Sequence, residues 1–149
     1  MPTIVRTVAL LHTLPDGSSH VDWMWSPGPG PYDDDERVLA TFRLPAIPAR
    51  CGGSFEAIRI HDHRARYLWY EGDIGRGLGS VRRLWGGPAR VWAHTPDRFD
   101  IEIVDDGALV RVDGRATENA SSSPTIFRCT AQRVGVFDGW PIGPRAEQE

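Results

Sequence analysis

RFDIEIVDDGALVRVD, residues 98–113, decides the fold class. Phe99, Ile101 and Ile103 alternate with Arg98, Asp100 and Glu102. Successive side chains on a strand point to opposite faces, so this spacing predicts a half-buried strand with one wet face. Asp105-Asp106-Gly107 is a turn signal, and it returns the chain into ALVRVD (108–113) as a hairpin.

Working outward, short β-type runs recur between turn clusters: TIVRTVALLH (3–12), SHVDWMW (19–25), RVLATFRL (37–44), FEAIRI (55–60) and RYLWY (66–70). GSVRRLW (79–85), RVWAH (90–94) and PTIFRCTAQ (124–132) continue the rhythm around the central hairpin. Strands at such intervals suggest a sandwich or barrel, and no window holds a 3.6-residue apolar stripe for more than two turns. The expectation is a mostly β fold with few short helices. SPGPGPYDDDE (26–36) reads as an excursion, because strand-like sequence resumes at once, and ENASSSP (118–124) as a second loop. Residues 134–149 read as a flexible tail. There is no internal repeat, and residues 1–149 form one expected domain.

The 149 residues are 40% hydrophobic and 25% charged, the balance of a globular chain rather than a disordered one. The net charge of −3 excludes a protein coated in basic residues for nucleic-acid binding, so any such contact must be local. All 17 basic residues are Arg, the cation suited to bidentate phosphate contact. Cys51 and Cys129 have no CxxC spacing and read as reduced thiols. Arg6 interrupts the apolar start, and no run approaches the ~20 apolar residues that span a bilayer, so the expected location is cytoplasmic.

The densest chemistry is His12 followed by His20-Val21-Asp22. On a strand His20 and Asp22 share one face and Val21 and Trp23 the other. If the turn LPDGS pairs 3–12 with 19–25, His12 comes beside them, and the three can form a facial two-His, one-carboxylate set that leaves positions open on a divalent ion. A surface pair flanking a hairpin is the competing reading. His61-Asp62-His63 with Tyr67 is a second group, which is either a solvated turn or, if extended, a pair of imidazoles on one face. GDIGRGLGSVRRLW (72–85) fits neither GxGxxG before a helix nor GxxxxGK[ST], and reads as a glycine-rich hairpin or bulge. Its Arg76, Arg82 and Arg83 are candidates for local positive charge near a phosphate. The six tryptophans can stack on bases, but in strand-rich sequence most belong to the core.

Taken together, these elements resemble the 3′-phosphoesterase domain of bacterial DNA ligase D. The matching residues are His12, His20-Val21-Asp22-Trp23, the run Leu39–Leu44, Asp62-His63, Tyr67, Tyr70-Glu71-Gly72, Gly77-Leu78-Gly79-Ser80-Val81 and Trp85, in order over roughly residues 4–105. The resemblance implies a small antiparallel β barrel with a crescent-shaped site on one side. It implies Mn²⁺, or another divalent metal, held by His12, His20 and Asp22, with His63 and Tyr67 as catalytic residues addressing a 3′-phosphate or 3′-ribonucleotide end. It also implies a ligase or polymerase repair partner.

Three departures bear on function. The family usually places Arg two positions after the strand Asp, where this chain has Met24 on the same expected face. Met cannot donate to a phosphate oxygen, so a charge-assisted contact is lost. The His12 to His20 interval is longer than the family's, through the LPDGS turn, and the family's acidic N-terminal arm has no counterpart here. The chain therefore reads as a divergent, stand-alone relative: a metal-dependent phosphoesterase of nucleic-acid 3′ ends or, alternatively, a noncatalytic end-binding or metal-binding barrel.

Overall fold

The computed structural model describes residues 1–117 and 124–140. Expectations for the loop at 118–123 and for 141–149 lie outside these described residues. Nine strands follow one another: β1 (Thr3–Thr13), β2 (Ser19–Trp25), β3 (Arg37–Leu44), β4 (Ser54–Arg64), β5 (Gly72–Asp73), β6 (Ser80–Thr95), β7 (Arg98–Asp105), β8 (Ala108–Ala116) and β9 (Thr125–Val136). Antiparallel neighbours run β1-β2-β3-β4-β9-β8-β7-β6, and β6 pairs back onto β1 to close the ring. The fold is thus mostly β and barrel-like, as the alternating runs predict, with only the 3-10 turns Pro48–Arg50 and Ala65–Leu68 as helical pieces among the described residues. None of the described helices is long and apolar enough to cross a membrane.

The barrel interior holds the inward side chains of every long strand. Trp23, Trp25, Phe42, Phe99 and Phe127 are fully buried there and meet ring to ring, with Phe42 and Phe99 centroids 4.9 Å apart and Trp25 stacked on Phe42 at 5.3 Å. Each such side chain contributes about 1.5–3 kcal/mol of transfer free energy on burial. Gly114 is required opposite Phe99, because a Cβ at that position would meet the Phe99 ring at 2.3 Å. Cys51 and Cys129 are both free thiols.

A second apolar cluster lies on the outside of the wall. Val8 and Leu10 of β1, Met24 of β2, Leu39 of β3 and Val81 of β6 pack under Tyr67, Leu68, Tyr70 and Ile74 from the segment between β4 and β6. Period-2 alternation forces this two-sidedness: Trp23 faces in, so Asp22 and Met24 face out.

Several local expectations need correction. RYLWY is not a strand. The Ala65 and Arg66 amides donate to the Glu36 and Asp34 carbonyls, and the Trp69 and Tyr70 amides to the Arg66 carbonyl, which winds the segment into a 3-10 turn against the outer cluster. GSVRRLW and RVWAH are halves of one strand, because β1 pairs continuously along β6 through Gly86, Gly87 and Pro88. His61, Asp62 and His63 belong to β4, not to a turn. β9 runs through Val136, so residues 134–136 of the expected tail are strand, paired with the start of β8. Trp69 and Trp92 are 63% and 42% exposed and are not core residues.

Candidate metal centre and cavity

The hairpin of β1 and β2 builds the centre. Its turn is closed by Leu14 N–H to the Ser18 carbonyl and by Asp16, whose carboxylate accepts from the Ser18 amide and hydroxyl. The resulting register sets His12 directly opposite His20 and Leu10 opposite Asp22. Because His12, His20 and Asp22 all project from the outer face, their ligand atoms converge within 4.8 Å of one another, as the pattern predicts.

The geometry fixes which atoms face inward. His12 Nε2 lies 3.0 Å from the Leu78 carbonyl, so Nε2 carries the proton and donates it there. That turns His12 Nδ1 toward the centre, 3.2 Å from His20 Nε2 and 3.8 Å from Asp22 Oδ2. His20 Nε2 is also 3.4 Å from Asp22 Oδ1. The Leu78 carbonyl comes from the glycine-rich hairpin of residues 72–79, which crosses the end of β1 so closely that a Cβ on Gly79 would lie 2.1 Å from the Thr13 carbonyl oxygen. The hairpin reading of that segment holds: β5 pairs with Val81 and Ser80 of β6. Its carbonyl orients the imidazole of a candidate ligand, as the acceptors behind metal-bound histidines do.

The Asp22 side chain is 4% exposed, and its Oδ1 has no hydrogen-bond partner. Arg43 Nε, at 3.7 Å, is an ion pair too long to be a hydrogen bond. Burial pushes the Asp22 carboxyl up to about 6, outweighing the charges of Arg43 and His12, which pull it down. Burial likewise lowers His20 to about 4, helped by Arg43 and His12. A buried carboxylate with an orphan oxygen, flanked by two imidazoles, is a donor set that fits a divalent cation.

His63 reaches the same centre from β4. Its Nδ1 donates to the His61 carbonyl at 3.0 Å, and its Nε2 lies 4.0 Å from Asp22 Oδ2. Burial lowers its pKa to about 4, so the imidazole is neutral at pH 7 with Nε2 unprotonated. The His61 and His63 rings stack at 4.8 Å, and both line the cavity. Two register irregularities make this possible. Thr41 pairs with Ile60 and Leu39 with His63, so three residues of β4 span two of β3, and the count reverses at Arg37 and Arg64. Such bulges re-aim side chains that strict alternation would send to opposite faces.

The cavity in front of the centre encloses about 340 Å³. Leu10, Met24 and Val81 form an apolar floor, and Tyr67 stands on the wall, its ring 5.9 Å from His63. Met24 is fully buried on the expected face, beside Asp22. Four arginines, Arg37, Arg43, Arg64 and Arg76, line the cavity against the single carboxylate of Asp22. Of the arginines of the glycine-rich segment, only Arg76 lines it; the Arg83 guanidinium instead donates to the Leu68 carbonyl, and its backbone amide to the Glu71 carboxylate. Arg37 and Arg64 belong to no motif, and cross-strand register brings them here. No protein-family model matches the chain, and no curated protein matches it.

Proposed function

We propose that the chain is a divalent-metal-dependent phosphoesterase acting on a 3′-phosphate or 3′-ribonucleotide end of nucleic acid, in DNA repair beside a ligase or polymerase. The observation that carries the reading is the buried, unpartnered Asp22 oxygen between His12 and His20 at the base of an arginine-lined cavity. The resemblance of the ordered motifs to the ligase D phosphoesterase domain supplies the substrate class.

His12, through Nδ1, with His20 and Asp22 would hold Mn²⁺, which polarises phosphoryl oxygens and lowers the pKa of a bound water. The remaining steps fall to the chain's own groups. Arg43 and its neighbours neutralise the incoming phosphate and fix its orientation. Tyr67 offers a hydroxyl to the same group. His63 enters with Nε2 free of a proton, and the negative charge of a bound phosphate raises its proton affinity. It is therefore suited to take a proton near the phosphate and return it to the leaving oxygen. The Leu10, Met24 and Val81 floor keeps water from one side, which strengthens each of these contacts.

Calorimetric titration with Mn²⁺, followed by assay of phosphate release from a 3′-phosphorylated oligonucleotide, tests the reading. Binding and release in the parent protein, both lost in a His20→Ala, Asp22→Ala double variant, are expected. Metal binding without release favours the alternative of a noncatalytic end-binding module, for which the buried Met24 speaks: it supplies no donor where the family has an arginine. Absence of metal binding removes the phosphoesterase reading and leaves the end-binding module, which needs no metal.

A further inference from the structure

Arg37 on β3 and Arg64 at the end of β4 are direct cross-strand partners, and both line the cavity. Like charges opposite one another on an antiparallel pair repel and cost stability. Neither guanidinium forms an ion pair with a carboxylate among the described residues. The acidic run just before Arg37 is engaged elsewhere: Asp35 pairs with Arg66, Asp34 accepts from Trp69 Nε1, and Glu36 accepts from the Asp33 amide. Asp62, the carboxylate nearest in sequence to Arg64, is paired with Arg59 at 2.7 Å. A third cation, Arg76, faces the same cavity from the glycine-rich hairpin, on a backbone held at φ +56.

The register also separates Arg37 from the metal centre. Arg43 pairs in register with Asp22, whereas Arg37 lies at the opposite end of β3, beyond Leu39 and His63. We infer that Arg37, Arg64 and Arg76 form a second anion subsite, which takes the phosphodiester next to the terminal phosphate of a bound nucleic-acid strand. A phosphate between two guanidiniums turns their repulsion into two charge-assisted pairs, and guanidinium geometry suits phosphate oxygens. A mononucleotide has no group to place there, whereas a strand does. The assignment to a strand rests on the phosphoesterase reading; the anion subsite itself rests on the arginines.

The test uses the full chain with an Arg37→Gln, Arg64→Gln double variant, single Arg64→Gln, and Asp22→Asn. At low salt without phosphate, Arg64→Gln is expected to melt no lower than the parent, since it relieves a like-charge pair. Inorganic phosphate is expected to raise the melting temperature of the parent and of Asp22→Asn, and to raise that of the double variant clearly less, because only Arg43 and Arg76 remain in its cavity. With Mn²⁺ present, a 3′-phosphorylated dinucleotide should bind the parent about ten-fold more tightly than a nucleoside 3′-phosphate, a preference the double variant loses. The double variant should also lower the salt-dependence slope for the dinucleotide by about 1.

Equal phosphate shifts in parent and double variant, or a shift in neither, overturn the subsite. A dinucleotide held no more tightly than the mononucleotide overturns its assignment to a strand. Failure of the underlying reading looks different: a phosphate shift that depends on Arg37 and Arg64 in a chain that neither binds Mn²⁺ nor releases phosphate.

Discussion

Asp22 on β2 and Asp100 on β7 are both nearly buried carboxylates on the outer face of the same barrel wall, at 3% and 8% exposure, and they are treated in opposite ways. Arg111 grips Asp100 with two hydrogen bonds of 2.8 Å, and its guanidinium, with Arg98 beside it, holds the carboxyl below its usual range against the opposing effect of burial. Next to it Glu102 accepts from both Arg90 Nε and Trp92 Nε1. Asp22 has one oxygen without a donor, an arginine held at ion-pair distance and three imidazoles around it, and its pKa is raised. A carboxylate meant only to hold strands together is saturated like Asp100. The arrangement around Asp22 costs stability in isolation, and that cost at a cavity floor is the contrast on which the proposed metal site rests.

The largest effect that would sharpen this contrast is metal-linked stabilisation. At a free Mn²⁺ concentration one hundred times the dissociation constant, the parent should gain about 2.7 kcal/mol of unfolding free energy. Asp22→Ala should gain none, while Asp100→Ala, whatever its starting stability, should keep the full increment. Chemical denaturation with and without the metal measures both. Equal metal responses in Asp22→Ala and the parent would break the comparison.

The next effect is the opposite sign of two matched substitutions in the metal-free chain. Asp22→Asn removes a charge that burial disfavours and should raise stability at pH 7.5 by about 1–3 kcal/mol. Asp100→Asn breaks a bidentate ion pair and should lower it by about 1 kcal/mol, since Arg111 is 40% exposed and solvent screens the pair. Urea midpoints of the two variants check the signs.

The smallest effect lies in the pH profile. A carboxyl raised to about 6 in the fold holds its proton more tightly than in the unfolded chain, so Asp22 stabilises the metal-free protein at low pH and loses that contribution as pH rises from about 4 to 6. His20 and His63, lowered to about 4, act the other way and withdraw stability as pH falls from 6.5 to 4. Between 6.5 and 4 the metal-free parent should therefore lose less stability on acidification than Asp22→Asn, which keeps only the histidine contribution. The lowered pKa of Asp100 adds stability that is present above its unfolded value and lost only below about pH 4. Melting temperatures across that range give the slopes.

Much of this architecture is legible in local sequence. The alternation Phe99-Ile101-Ile103 against Arg98-Asp100-Glu102 gives β7 its two faces, and Asp105-Asp106-Gly107 turns it into β8, with Asp106 at φ +51 and Gly107 at φ +79. The triad is legible for the same reason: His20 and Asp22 are two apart on a strand, and LPDGS is a hairpin turn that brings His12 opposite. The segment Arg66–Tyr70 misleads because its aromatic content favours strand, whereas the Ala65 and Arg66 amides find the Glu36 and Asp34 carbonyls and the Trp69 and Tyr70 amides fold back onto Arg66. Propensity there yields to a tertiary surface that local sequence does not contain.

The sequence by itself determined the strand periodicity, the principal turn and the shared face of the three candidate ligands, since each follows from side-chain alternation over a few residues. Only the tertiary structure decided which histidine of the His61-Asp62-His63 run approaches Asp22, which of 17 arginines surround the cavity, and which tryptophans reach solvent. Those outcomes depend on bulges in β4 and on register between strands distant in the chain. A one-residue shift there reverses every side chain on the strand, and the energy that selects the register is spread over the whole barrel core.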